Sequence, residues 1–226
     1  MSRHIIKRTI ERADSRLIDA LGEAGTATVH EAIGRVGYAG PHLRPIQQDV
    51  RIAGSAVTVL SHPGDNIMIH AAVEVCEEGD ILVVTNTAPS THGMFGDLLA
   101  TSLIARGVRG LVLDAGVRDT MDLRSMGFPV WSQHVSCQGT EKNTPGSVNV
   151  PVVLGGVTVQ AGDVICADDD GVVVVPRLDA GWAVQQSQAR LAKEENMRGV
   201  LESGELGVDV YGLRQKLIDM GVEYID

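Results

Sequence analysis

Hydrophobic and polar positions follow a helical period at the start of the chain and a mixed strand and helix pattern after it. Over residues 13–37, apolar side chains recur every three or four positions on both sides of Gly25, which predicts two short helices. From residue 51 onward, apolar runs of strand length alternate with helical stretches. The predicted order is strand 52–60, helix 67–76, strand 81–85, helix 97–106, strand 110–114, helix 120–126 and strand 129–133.

The pattern changes again after Asn143. Short β runs separated by glycine turns predict a second, largely antiparallel sheet, and two polar helices follow over 178–203 and 208–220. Alternating strands and helices place the chain in the α/β class. We therefore expect one domain over residues 1–226, made of a helical preface (13–37), an α/β core (51–176) and C-terminal helices (178–222).

Composition narrows the range of partners. The chain has 226 residues, a formal net charge of −10 and 3% aromatic residues, which disfavours nucleic acid because phosphates need a basic face and bases need aromatic stacking. No apolar run has the roughly 18 residues of a membrane span, and the start is too charged for a signal peptide, so we expect a cytoplasmic protein. Three widely spaced cysteines argue against disulfides and zinc knuckles.

Two segments place polar side chains at the ends of elements. In THGMFGDLLA, Gly93 and Gly96 precede a helix that begins near Asp97, and free N–H groups of such a first turn suit a carboxylate or phosphate. In GLVLDAGVRD, Arg118 and Asp119 follow an apolar strand, the place where open α/β sheets bind ligands. An ordinary glycine turn, a surface ion pair or helix capping by either aspartate would also fit these patterns.

Taken together, the two segments favour chemistry. One arginine and two carboxylates could hold a hard divalent cation through oxygen ligands while the guanidinium binds an oxyanion. A Schiff base is disfavoured, because no lysine lies within an apolar strand or helix; the four are Lys7, Lys142, Lys193 and Lys216. Carbonyl chemistry would then depend on a metal.

Other candidate clusters favour structural roles. Asp168 lies in CADDDGVVVVP, where Asp-Gly between two β runs predicts a hairpin more strongly than a metal site. The seven histidines show no zinc-type spacing, and His92, beside the glycine loop, fits a hydrogen-bonded loop histidine. Glu194 and Glu195 lie on a polar helix, where pairs with Arg190 and Arg198 would form an exposed ladder unless a carboxylate reaches another subunit.

The spacing of Asp97 and Arg118-Asp119 in GDLLATSLIARGVRGLVLDAGVRD resembles that of the 4-hydroxy-4-methyl-2-oxoglutarate/4-carboxy-4-hydroxy-2-oxoadipate aldolases. These enzymes share a fold with the regulator of ribonuclease E activity A. PGDN, GDVICADDDGVVVVP and the ending KEENMRGVLESGELGVDVYGLR match as well, so the resemblance covers nearly the whole chain. The regulator-type proteins are typically shorter and lack this ending.

The resemblance implies a β/β/α swivelling-type layered sandwich with N- and C-terminal helical additions, assembled into homotrimers or homohexamers with active sites between subunits. It also implies a class II pyruvate aldolase that uses Mg²⁺ or Mn²⁺. Such an enzyme cleaves 4-hydroxy-2-oxo acids of aromatic catabolism to pyruvate plus oxaloacetate or pyruvate, with oxaloacetate decarboxylation as a side activity. The competing hypothesis is a non-catalytic regulator that binds a basic protein such as a ribonuclease.

The resemblance also assigns roles to residues. Asp119 would ligate the metal, Asp97 would hold metal-bound water, and Arg118 would contact the pyruvyl oxygens. A glutamate from a neighbouring subunit, Glu194 or Glu195, would complete the site. The substrate carboxylate would bind backbone amides around Gly96, Asp97, Leu98 and Leu99.

Overall fold

A nine-stranded sheet forms the centre of the structure, a computed structural model that describes residues 4–225. Its strands follow the order β1-β6-β5-β3-β2-β10-β11, with β4 added beside β5 and β7 beside β2, and β8 and β9 form a separate two-stranded sheet. The strands are β1 (Arg44–Pro45), β2 (Ile52–Ser61), β3 (Asp80–Asn86), β4 (Gly93–Phe95), β5 (Gly110–Val117), β6 (Val130–Val135), β7 (Ser147–Val148), β8 (Val152–Leu154), β9 (Val157–Val159), β10 (Val164–Asp168) and β11 (Gly171–Val175).

The helices lie where the helical period predicted them, with shorter ends. The two N-terminal helices separate at Gly25, which has φ +82° and so interrupts the helical backbone. The helices are α1 (Ser15–Ala24), α2 (Thr26–Ala32), α3 (Ile67–Val73), α4 (Asp97–Ile104), α5 (Thr120–Ser125), α6 (Ala180–Glu202), α7 (Gly207–Val210) and α8 (Leu213–Asp219), with a short 3₁₀ turn at Arg177–Asp179.

The centre of the sheet is parallel, which fits the α/β class predicted from the alternating pattern. Strands β2, β3, β5 and β6 pair in parallel, and helices connect them. Parallel neighbours need such crossovers, and their carboxyl ends meet at one edge of the sheet. That edge carries the loops after β3 and β5, which lead into α4 and α5.

The expected second antiparallel sheet is only partly present, and this prediction needs correction. The β10–β11 hairpin forms at Asp168–Gly171 as predicted, but β10 pairs antiparallel with β2 and so extends the main sheet. Only β8 and β9 make a separate sheet. Short apolar β runs reveal strand length but not partner, because the partner depends on which sheet edge has unpaired backbone groups.

Two hydrophobic layers establish the architecture. On one face, β5 residues such as Leu113 pack with Ile69 of α3, Leu103 of α4 and Leu123 of α5. On the other face, Val112 of β5 belongs to a core that includes residues of β8 and β9, Val152, Leu154 and Val159. Helices, main sheet and small sheet therefore form a β/β/α sandwich with added terminal helices, which confirms the predicted fold class.

The chain divides into two compact units, one up to Ser187 and one from Gln188 onward. In the second unit the predicted helix over 208–220 is two helices, because Gly212 adopts φ +63° between α7 and α8. That a single aldolase domain extends over residues 1–226 stays a prediction. Within residues 4–225, every helix is too short or too polar to cross a membrane.

Candidate active site

A cavity of about 310 Å³ opens at the carboxyl end of β5, within the first unit. Its walls come from β4 and the start of α4, from the loop after β5, from α3 and from the segment at residues 139–142. The sequence predicted the first two walls, because strand ends and helix starts of a parallel sheet meet at one edge. The other two walls come from parts of the chain to which no chemistry had been assigned.

Close backbone approach explains the two glycines of the loop. A Cβ atom on Gly93 would lie 2.3 Å from the carbonyl oxygen of Ser136, and one on Gly96 would lie 2.2 Å from Oδ2 of Asp119. Both distances are far below van der Waals contact, so any larger residue would displace a neighbour. Gly96 therefore leaves room for the Asp119 carboxylate at the start of α4.

Asp119 holds its carboxylate in this space by an unusual backbone conformation. Its φ of 54° and ψ of 36° lie in the left-handed region, which costs a non-glycine residue on the order of 1 kcal/mol. It occupies the N-cap position of α5, yet its side chain makes no capping hydrogen bond. The carboxylate instead lies 3.1 Å from Nε of Arg118. Arg118 is anchored by its backbone N–H, which donates to the carbonyl of Phe95 at 2.9 Å.

The start of α4 presents backbone donors to the same cavity. Asp97, Leu98 and Leu99 line it and form the first turn of the helix, where N–H groups have no partner within the helix. The first intrahelical bond to the N-cap, Gly96, comes from Ala100 N–H, at 3.1 Å. An oxyanion placed here would accept hydrogen bonds from these N–H groups and would lie at the positive end of the helix dipole.

Sequence reasoning missed the basic wall of the cavity. Lys142 and His70 of α3 line it, and Lys142 together with Arg118 concentrates positive charge locally in a chain whose net charge is −10. Burial and then the positive charge of Lys142 lower the pKa of His70. The PGDN turn before α3 was the only available signal, because Lys142 lies in a loop without periodicity.

The structure brings six predicted site residues together and places two elsewhere in the chain. The cavity is lined by Gly96, Asp97, Leu98, Leu99, Arg118 and Asp119. Glu194 and Glu195 belong to the second unit. There Oε1 of Glu194 lies 2.8 Å from Nε of Arg190, and Oε2 of Glu195 lies 3.6 Å from Nε of Arg198.

The residues assigned to structural roles have structural contacts. Asp168 is buried, accepts hydrogen bonds from the N–H groups of Thr26 and Asp170, and so stabilises the hairpin and the start of α2. The three cysteines are free thiols, and burial raises the pKa of Cys76 and of Cys166 to about 12, which leaves both unreactive at neutral pH.

The donor set at the cavity limits which metal fits it. No group of three or more His, Cys, Asp and Glu side chains within residues 4–225 is arranged to hold an ion. Asp119 is a carboxylate placed at the cavity wall without a capping role, and Asp97 lines the same cavity. Two carboxylates suit a hard cation such as Mg²⁺ or Mn²⁺ that keeps most of its water.

Fold and site together define an RraA-like protein. A family model described as RraA-like, Aldolase/RraA, matches residues 18–174, and the chain therefore belongs to this family. The matched range contains the whole main sheet except Val175, and all the residues that line the cavity.

Three relatives illustrate the similarity. A protein of Halalkalibacterium halodurans is 26% identical over 169 residues, covering 75% of this chain and 80% of its own length. A protein of Ectopseudomonas mendocina is 32% identical over 124 residues, covering 55% of this chain and 76% of its own length. Both carry the name "Putative 4-hydroxy-4-methyl-2-oxoglutarate aldolase". Streptomyces coelicolor RraAS2, an unusual member of the RNase ES inhibitor RraA protein family, is 30% identical with a TM-score of 0.75, covering 84% of this chain and 99% of its own.

Proposed function

We propose that this protein is a divalent-metal-dependent aldolase that cleaves a 4-hydroxy-2-oxo acid to pyruvate and a second oxo acid. The substrate class is that of 4-hydroxy-4-methyl-2-oxoglutarate and 4-carboxy-4-hydroxy-2-oxoadipate. One observation carries the proposal: a single cavity brings together the free N–H groups of α4, the guanidinium of Arg118 and the carboxylates of Asp97 and Asp119. The names of the relatives support the same reaction class.

The cavity can bind the 2-oxo acid end of such a substrate. Its carboxylate would accept hydrogen bonds from the first-turn N–H groups of α4, while the fork of Arg118 contacts the 2-oxo oxygen. Asp119 would ligate Mg²⁺ or Mn²⁺, and Asp97 would hold its water. When bound, the cation supplies positive charge that stabilises the negative charge developing on the substrate.

Cleavage breaks the bond between C3 and C4. The electron pair of that bond moves to C3 and on to the C2 oxygen, while the C4 hydroxyl loses its proton and becomes a carbonyl. Arg118 stabilises the charge on the C2 oxygen, while Asp97 accepts the C4 hydroxyl proton through a water that it holds. Return of that proton to C3 of the resulting enolate gives pyruvate. Oxaloacetate would lose CO₂ by the same electron flow, which explains decarboxylation as a side activity.

The basic wall suits a substrate that carries a second carboxylate. His70 and Lys142 face the same cavity as Arg118, and a dicarboxylic acid could place one end at α4 and the other at this wall. We propose that they bind the carboxylate on the C4 side. Homotrimers or homohexamers, in which Glu194 or Glu195 of a neighbouring subunit completes the site, are part of the same proposal.

Pyruvate release tests the proposal. The purified protein with Mg²⁺ should release pyruvate from 4-hydroxy-4-methyl-2-oxoglutarate and from oxaloacetate, EDTA should abolish release, and Mg²⁺ or Mn²⁺ should restore it. Lys142 is the only lysine that lines the cavity among the described residues, and it is therefore the lysine at which a Schiff base with pyruvate would form. Because the proposed mechanism uses no Schiff base, borohydride with pyruvate should leave Lys142 unmodified. Rates no faster than those of the metal alone, or stable trapping on Lys142, would contradict the mechanism.

A regulator is the second candidate function. The net charge of −10 suits a basic partner, and RraAS2, to which the chain is similar, is described as a member of the RNase ES inhibitor RraA protein family. Charge attraction of this kind weakens with salt, because the Debye length falls to roughly 3 Å at 1 M. A salt-sensitive complex with a ribonuclease, combined with no turnover of either acid, would support the regulator over the aldolase.

A further inference from the structure

The PGDN turn has contacts beyond those of a helix cap. The Asp65 side chain is buried, with the residue 2% exposed, and its Oδ1 accepts the N–H of Ile67 at 2.9 Å where α3 begins. Its Oδ2 accepts the N–H groups of Asn143 at 2.6 Å and of Thr144 at 2.7 Å. One carboxylate therefore ties the start of α3 to a loop almost 80 residues further along the chain.

Backbone and amide contacts extend the same connection. The N–H of Glu141 donates to the carbonyl of Gly64 at 2.9 Å, and the N–H of Asn66 donates to the carbonyl of Glu141 at 3.1 Å. Asn66 Nδ2 also donates to the carbonyl of Met94 at 3.0 Å. The turn thus joins the segment that carries Lys142, the helix that carries His70 and the strand that leads to Asp97.

Asp65 makes these bonds as a carboxylate at neutral pH. Burial acts to raise its pKa, but the N–H groups of Ile67, Asn143 and Thr144 outweigh burial, so its pKa lies below the ordinary value. Hydrogen bonds to an ionised acceptor are stronger than neutral ones. A buried, ionised anchor keeps the loop near the cavity, where a small displacement of Lys142 would weaken its contact with an anion.

We infer that Asp65 is a positioning residue that fixes Lys142 opposite His70 and so gives the site its preference for substrates with a second carboxylate. This inference rests on the proposed function. It assigns Asp65 no contact with substrate or metal.

The variant Asp65→Asn tests the inference against a matched control. Asp65→Asn removes the charge, and Asp163→Asn makes the same change at a carboxylate that is 6% exposed, accepts the N–H groups of Gln160 and Arg177, and lies outside the cavity. Hydrogen exchange measures whether the backbone N–H groups of residues 139–144 remain protected. Calorimetry with Mg²⁺ compares binding of 2-oxoglutarate with binding of 2-oxobutanoate, which lacks the second carboxylate.

For Asp65→Asn we expect faster exchange over 139–144 and roughly tenfold weaker binding of 2-oxoglutarate, as for the loss of one contact to a charged group. Binding of 2-oxobutanoate should stay within about twofold, and Asp163→Asn should change neither the exchange of this segment nor the ratio of the two affinities. If Asp65→Asn does not fold, Asp65→Glu keeps the charge, moves it by one methylene and should show the same selective loss.

Unchanged exchange over 139–144, or equal weakening of both acids, would overturn the inference. Equal affinity of the wild type for the two acids would do so as well. Neither hydrogen exchange nor calorimetry needs turnover, so the two proposals can fail independently. If the wild type released no pyruvate, the proposed aldolase function would be wrong. Selective weakening of 2-oxoglutarate binding in Asp65→Asn would still support the positioning role.

Discussion

Asp119 has a strained left-handed backbone conformation, and its carboxylate makes no helix-capping hydrogen bond. Such backbone strain persists only where the surrounding structure holds the residue in place. Asp119→Ala should lower kcat about 100-fold or more, because it removes the only proposed direct metal ligand. Arg118→Lys should lower kcat as well, since an ammonium group lacks the planar fork of donors that a guanidinium has. Asp168→Asn is the comparison: it should lower the melting temperature and leave kcat of the folded protein unchanged. Equal loss of kcat in Asp168→Asn would show that the metal site was assigned to the wrong cluster.

Gly96 is the second residue whose identity the site requires. In Gly96→Ala the new Cβ would occupy the space of Asp119 Oδ2, so the carboxylate must move and kcat should fall roughly tenfold or more. Gly199→Ala, which adds a Cβ in open space on α6, should leave steady-state kinetics unchanged. Full activity of Gly96→Ala would mean that the position of Asp119 is unimportant for turnover.

At the scale of elements, one buried ion pair ties the N-terminal segment to β3. Arg12 makes two hydrogen bonds to Asp80, at 2.8 and 2.9 Å, and Asp80 is fully buried. Arg12→Ala leaves that carboxylate without its cation and should reduce the free energy of unfolding by about 3 kcal/mol. Arg8→Ala breaks an exposed pair with Glu74 and should cost at most about 0.5 kcal/mol. Urea unfolding would measure both, and similar losses would contradict the distinction.

The junction between α3 and the loop at 139–144 should depend on pH. The folded pKa of Asp65 is lowered, so its stabilising contribution is present above the unfolded value of about 3.9 and is lost as pH falls through the folded value. Wild type should therefore exceed Asp65→Asn in free energy of unfolding at pH 7, and the gap should narrow below about pH 4. A gap that stays constant with pH would show that the charge of Asp65 does not contribute.

At the scale of the whole molecule, the question is whether subunits share a site. The Asp119→Ala variant lacks the proposed metal ligand but keeps Glu194 and Glu195. The double variant Glu194→Gln, Glu195→Gln keeps Asp119 but lacks both glutamates. Each alone should be nearly inactive, while co-expression should restore a fraction of turnover by forming complete sites between unlike subunits. Full activity of the double glutamine variant would remove the glutamates from the mechanism. Inactive mixed oligomers would assign the glutamate to its own subunit.

Much of this site could be predicted because it lies at the ends of regular elements. Gly96, Asp97, Arg118 and Asp119 follow from strand and helix periodicity, which is a local property of the sequence. Lys142 could not be predicted in the same way, because long-range hydrogen bonds hold its loop at the cavity, among them the bond from Asn143 N–H to Asp65. The donor, Asn143 N–H, and its acceptor, Asp65, are 78 positions apart and share no periodic pattern.

The sequence by itself determined the α/β class, the order of strands and helices, the hairpin at Asp168–Gly171 and the two predicted walls of the cavity, because these depend on side-chain periodicity and turn chemistry between near neighbours. Only the tertiary structure decided that β10 joins β2 and that the turn at residues 63–66 and the loop at 139–144 complete the cavity. Partner choice between distant segments depends on which backbone groups and buried charges remain unsatisfied after the local elements form, and that is a property of the folded chain.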